Sequence, residues 1–79
     1  MRIVTLYGRR GCHLCDEART ELERLQAAEP FELREVDIEA DAELHRRYLE
    51  RIPVIALEGE ELTDFFVDAP GLLRKLRER

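Results

Sequence analysis

The chain contains no tryptophan, one methionine and only two cysteines in 79 residues. Two thiols cannot build the several crosslinks of a disulfide-dense secreted scaffold. No apolar run approaches the roughly 18 residues needed to cross a bilayer. The opening MRIVTLYG is too short and too soon interrupted for a signal peptide. The expectation is a soluble, cytoplasmic protein. Positive charge is scarce as well: thirteen Lys and Arg face eighteen Asp and Glu, for a net charge of −5. Nucleic acid is a poor partner for such a surface, because phosphate binding needs a clustered positive field. The basic clusters at Arg9-Arg10, Arg46-Arg47 and the Arg74–Arg79 tail read as solvated helix faces and ends. What is present is ordinary for a globular chain: 44% hydrophobic residues, with no repeat, linker or low-complexity segment. One domain over residues 1–79 is the expectation at this length.

Five or six short units follow closely on one another. RIVTLY (2–7) is β-branched and aromatic, and reads as a central strand buried on both faces. Gly8 and Gly11 break it. From His13 to about Ala28 the pattern is helical, with an apolar stripe of Leu14, Ala18, Leu22 and Leu25, closed by Pro30. FELREVDI (31–38) reads as a second strand. Its apolar phase slips between Leu33 and Val36, which predicts a bulge or a change of burial. A short helix from about Asp41 to Glu50 carries Leu44 and Tyr48 one turn apart. Pro53 opens a third strand, PVIAL, and Glu58-Gly59-Glu60 is a hairpin turn. ELTDFFV is the returning strand. Asp68 caps a last helix bearing Leu72, Leu73 and Leu76. The order is β-α-β-α-β-β-α. Its β-α-β opening predicts parallel strands with a right-handed crossover, and the hairpin an antiparallel pair, in one mixed sheet with helices packed on it.

The chemistry concentrates in LYGRRGCHLCDEA (6–18), where Cys12 and Cys15 are three apart. As a staple the pair is weak, because it closes a very short loop that one helical turn already holds. As a metal site it is short of ligands. Zinc takes four, or three plus water, so a zinc or iron–sulfur module would need two chains to share Cys12 and Cys15. Covalent haem needs C-x-x-C-H, and residue 16 is Asp. As a redox pair the position is apt. Cys12 sits at the mouth of the helix that begins at His13, where unpaired N–H groups and the helix dipole stabilise a thiolate. Arg9, Arg10 and His13 bring positive charge nearby. Asp16 acts in the opposite sense if it stays charged. Cys15, a turn further in on the stripe side, is the more buried thiol. The roles follow: Cys12 attacks a disulfide and Cys15 resolves the mixed disulfide.

CHLC after a first strand, and IPV ahead of a strand and hairpin, resemble the glutaredoxin and thioredoxin-like group. The resemblance is nearest to short bacterial glutaredoxin-like proteins and covers the whole chain. It implies an α/β, thioredoxin-like fold with a four-stranded mixed sheet flanked by helices. It implies a cis Pro53 packed beside Cys12 and Cys15, and a backbone at Ile52 free to pair with an extended substrate segment. Arg9 or Arg10 would fill the basic position before the first cysteine. The implied activity is a thiol–disulfide oxidoreductase that reduces protein or glutathione-mixed disulfides, acts as a monomer and holds no cofactor tightly. Its substrate-binding set is Ile52, Pro53, Arg9, Arg10 and His13. The family's usual C-P-Y-C is C-H-L-C here. Its double glycine and following acidic residue give way to TDFFVDAPG, where Gly71 stands alone after a proline. Glutathione and a thioredoxin-reductase-like partner are therefore alternative electron donors. A redox-inert adaptor and the two-chain metal module are the competing readings.

Overall fold

The structure is a computed structural model and describes residues 1–78; Arg79, the last residue of the basic tail, lies outside it. Four strands, β1 (Ile3–Gly8), β2 (Glu32–Asp37), β3 (Val54–Leu57) and β4 (Glu60–Asp64), form one sheet in the order β2-β1-β3-β4. Three helices, α1 (His13–Ala28), α2 (Ala42–Tyr48) and α3 (Ala69–Arg77), complete the expected β-α-β-α-β-β-α order. β1 runs parallel to β2 and antiparallel to β3, and β3 runs antiparallel to β4.

The sheet separates two cores. On one face Val4, Leu6, Ile55 and Leu57 pack with Ala18, Leu22 and Leu25 of α1 and Leu72 of α3. On the other, Ile38, Tyr48 and Val54 are buried, with Tyr7, Leu44 and Ile52 against them. β1 is central, as expected, but its two faces differ. Val4, Leu6 and Gly8 are buried while Ile3, Thr5 and Tyr7 are half-covered. The smaller α2 core shields less of the sheet than α1 and α3 do.

Several expectations are corrected in detail. The β2 phase slip is a change of burial, not a bulge, because its register with β1 runs unbroken from Ile3↔Glu32 to Gly8↔Asp37. The bulge lies in the β3–β4 pair, where Ile55↔Thr63 is followed by Ala56↔Glu61. Ile38 to Ala40 leave β2 as a 3₁₀ turn capped by Asp37, ahead of α2. The returning strand stops at Asp64 and does not run on through Phe65, Phe66 and Val67. Phe65 has φ 71°, which no strand accommodates. The hairpin itself holds: Glu58 and Gly59 both have positive φ, as a two-residue type I′ turn requires. Asp68 caps α3 by accepting from the Gly71 N–H at 3.2 Å. A Cβ at Gly71 would collide with that carboxylate, so this glycine serves the cap.

Candidate active site

β1 ends at Gly8, and the loop to α1 passes through Gly11 at φ 79°. That left-handed turn suits glycine and delivers Cys12 in extended conformation as the N-cap of α1. The Cys12 Sγ accepts from the Cys15 N–H at 3.2 Å. The Cys12 carbonyl accepts from the Asp16 N–H at 3.1 Å. The first sulfur thus lies against the unpaired amides and the positive end of the helix. The two sulfurs are joined as a disulfide, with Cα atoms 5.2 Å apart.

Exposure distinguishes the two cysteines. Cys12 is half-exposed, whereas Cys15 is 2% exposed and belongs to the buried face of α1 with Ala18, Leu22 and Leu25. The stripe therefore begins at Cys15. Leu14, expected to head it, is 49% exposed instead. Positions 15, 18, 22 and 25 step by three, four and three, which keeps one helix face toward the sheet.

Pro53 is buried and its peptide bond to Ile52 is cis. β1 pairs Tyr7 with Val54, so the register carried one residue further sets Pro53 opposite Gly8. The Gly8 α-carbon in turn faces Cys15: a Cβ added there would lie 2.9 Å from its Sγ. Gly8 therefore faces Cys15, and Pro53 follows as its neighbour in the extended β1–β3 register. Ile52 does not join them. Its side chain packs into the α2 core, and its N–H donates to the Tyr48 carbonyl at 3.1 Å. The backbone expected to be free at Ile52 is already half engaged. The segment is braced from both sides, since the Pro53 carbonyl accepts from the Phe65 N–H at 2.7 Å. Arg51, one residue earlier, reaches Glu61 at 2.5 Å and Asp64 at 3.2 Å on β4.

Charge around the pair is arranged in contacts. Asp16 Oδ1 lies 3.2 Å from Arg19 Nη1, and Arg19 also binds Glu35. These two carboxylates, Glu35 foremost, hold the Arg19 guanidinium firmly as a cation. The Asp16 charge that opposed a thiolate in the sequence thus has a cationic partner. Arg9 and Arg10 are exposed and line a cleft of about 390 Å³ with Gly11, Cys15, Asp16 and Asp37. His13 faces solvent, with Nε2 2.7 Å from Glu17 Oε2. A second cleft of about 360 Å³, between β4 and α3, includes neither a cysteine nor Pro53. Among the described residues, no three His, Cys, Asp or Glu side chains converge as a metal-binding set. Among the described residues, no helix is long and apolar enough to cross a membrane.

Three features escaped the sequence reading. Gly8 registers there as a strand breaker, and only its distance to Cys15 shows the need for a missing side chain. Arg51 carries no motif. Phe65, Phe66 and Val67 form an apolar, β-prone run that imitates the end of a strand, so nothing in TDFFV signals that both phenylalanines are exposed.

Residues 3–77 match the family model described as glutaredoxin-like domain (DUF836). The solution structure of protein Ne2328 from Nitrosomonas europaea is 37% identical, with a TM-score of 0.83 over 94% of this chain and 89% of that one. The X-ray structure of target protein XcR50 from X. campestris is 40% identical, with a TM-score of 0.75 over 92% and 93%. A malaria-parasite thioredoxin-2, at 23% identity, shares the fold with a TM-score of 0.72 over 100% and 84%. No curated protein matches the chain.

Proposed function

We propose that this chain, which belongs to the glutaredoxin-like domain family and has a thioredoxin-like fold, is a thiol–disulfide oxidoreductase working through Cys12 and Cys15. The observation that carries the reading is the asymmetry of the pair. One sulfur caps α1 at the surface, and the other is sealed behind it against Gly8.

In the reduced protein the Cys12 thiolate attacks one sulfur of a substrate disulfide. That bond breaks, the first substrate thiolate leaves and takes up a proton, and Cys12 holds the second half as a mixed disulfide. Cys15 then gives up its proton and attacks the Cys12 sulfur. The second substrate thiol departs and the Cys12–Cys15 bond remains, two electrons having passed to the substrate. Re-reduction falls to glutathione or to a thioredoxin-reductase-like partner, and no tightly bound cofactor takes part. Pro53 lines the approach, with Arg9, Arg10 and His13 around the rim. A reducing cytoplasm suits such a pair, since it keeps thiols available.

Cys12→Ser should abolish reduction of a protein disulfide such as that of insulin. Cys15→Ser should accumulate a mixed disulfide on Cys12, visible as a mass increase of one substrate. Full turnover by Cys12→Ser contradicts the assignment. Running wild-type turnover with glutathione and its reductase, against thioredoxin reductase, identifies the donor.

A further inference from the structure

We propose that Asp37, at the end of β2, takes the proton that the Cys15 thiol must lose to resolve the mixed disulfide. The inference rests on the thiol–disulfide reading and assigns a further residue to it. Burial disfavours a thiolate, and Cys15 is 2% exposed. Among the described residues no buried side chain is polar or charged, so none accepts the proton from inside. Val4 and Leu6 of β1 and Ala18 and Leu22 of α1, on the buried side, are all apolar. The side facing Cys12 is taken by the bound half of the substrate. The remaining way out is the cleft of about 390 Å³, which Cys15 lines despite its burial.

The sheet register sets Asp37 beside that sulfur. Gly8 and Asp37 are partners across β1 and β2. Partners on neighbouring strands, about 4.8 Å apart, direct their side chains to the same face. On that face the Gly8 position points at Cys15, whose Sγ would lie 2.9 Å from an added Cβ. Asp37 therefore occupies the next strand position out from the thiol, and both line the same cleft. A general base works directly or through one water, and Asp37 is exposed to solvent.

Three carboxylates line the cleft, and their partners distinguish them. Asp16 and Glu35 are both paired with Arg19. Asp37 has no ion-pair partner among the described residues. Its Oδ1 accepts from the Glu39 N–H at 2.9 Å, which caps the 3₁₀ turn and leaves the second oxygen for the cleft. Arg9 and Arg10 line the same cleft and favour the thiolate as it forms. The step balances. As the Cys15 sulfur bonds to Cys12 Sγ, its proton passes through a cleft water to the Asp37 carboxylate. The bond from Cys12 to the substrate breaks, and the departing thiolate takes a proton from solvent. Asp37 then returns its proton to solvent.

The test mixes the reduced full-length protein with an excess of an uncharged peptide dimer joined by one disulfide. Acid quenching and mass spectrometry follow the mixed disulfide on Cys12. Attack scales with peptide concentration and resolution does not, so the two rates separate. Asp37→Asn keeps a capping oxygen for the Glu39 N–H but takes no proton. It should slow resolution about tenfold at neutral pH, less than the roughly hundredfold of a directly placed base, and leave attack near wild type. Asp37→Ser, a second cap without a carboxylate, should do the same. The sign is diagnostic. Removing a mere neighbouring charge favours the Cys15 thiolate and speeds resolution, and removing a mere cap spares Asp37→Asn. The gap should close toward alkaline pH, where Cys15 ionises unaided. The other charged groups lining the cleft, Arg9, Arg10, Asp16, Arg19 and Glu35, are common to both proteins. Glu39→Gln, the same charge change outside the cleft lining, should leave resolution as in wild type. Unchanged or faster resolution in Asp37→Asn, or equal slowing by Glu39→Gln, overturns the proposal. A wild type that neither forms the mixed disulfide nor releases peptide thiol removes the thiol–disulfide reading, and this inference with it.

Discussion

Gly8 sets how closely the sheet approaches the buried sulfur. An added Cβ would stand 2.9 Å from Cys15 Sγ and 3.1 Å from its Cβ. Neither partner can retreat, because Cys15 is on the buried face of a helix and Gly8 is in the central strand. Overpacking of this kind typically costs roughly 1–3 kcal/mol. Gly8→Ala should therefore lower the urea midpoint. By displacing the resolving sulfur it should also lengthen the life of the mixed disulfide on Cys12. A variant with wild-type stability and wild-type resolution would contradict the packing account. The same residue shows a limit of sequence reading. The placing of Cys12 and Cys15 followed from strand, glycine and helix signals, all local in the chain. The need for a glycine at position 8 came from Cys15, which reaches back over it only once α1 has packed.

At the level of elements, the loop that presents Pro53 is anchored to β4. Arg51 spans Glu61 and Asp64, and the Tyr48 hydroxyl donates to Glu61 at 3.1 Å. The Arg51 hydrogen bond, opposed by partial desolvation and helped by Tyr48, pulls the Glu61 carboxyl below its usual range. A carboxylate more acidic in the folded chain stabilises it fully above the unfolded value. That contribution fades as the pH falls through the folded value. Unfolding of wild type minus Glu61→Gln should thus differ most at neutral pH and converge in acid. Since these groups are partly exposed, added salt should shrink the difference. A difference that grows on acidification would refute the anchor. Periodicity made the helices and the hairpin readable, because each is decided within one turn or one pair of strands. It misassigned Phe65, Phe66 and Leu14, whose exposure depends on the 2.7 Å bond from Phe65 to Pro53 and on the rotation of α1 about Cys15.

Across the whole molecule, the chain measures 34 × 22 × 17 Å, and its chemistry gathers at one end of the sheet. The carboxyl end of β1, the opening of α1, the Ile52–Pro53 bond and the Phe65–Phe66 turn all lie there. The strand order β2-β1-β3-β4 produces this convergence: it places β3 antiparallel beside β1 and so brings Pro53 opposite Gly8. Local signals named every strand but not that neighbourhood, which came from the family resemblance. The account stands on the unequal character of two sulfurs one helical turn apart. Site-resolved alkylation of the reduced protein by iodoacetamide across pH, read by mass spectrometry, tests it most directly. Cys12 should react first, its rate levelling off below the ordinary thiol value of about 8.5, while Cys15 stays unmodified until the chain unfolds. Equal reactivity, prior modification of Cys15, or a Cys12 profile matching a free thiol would contradict the account.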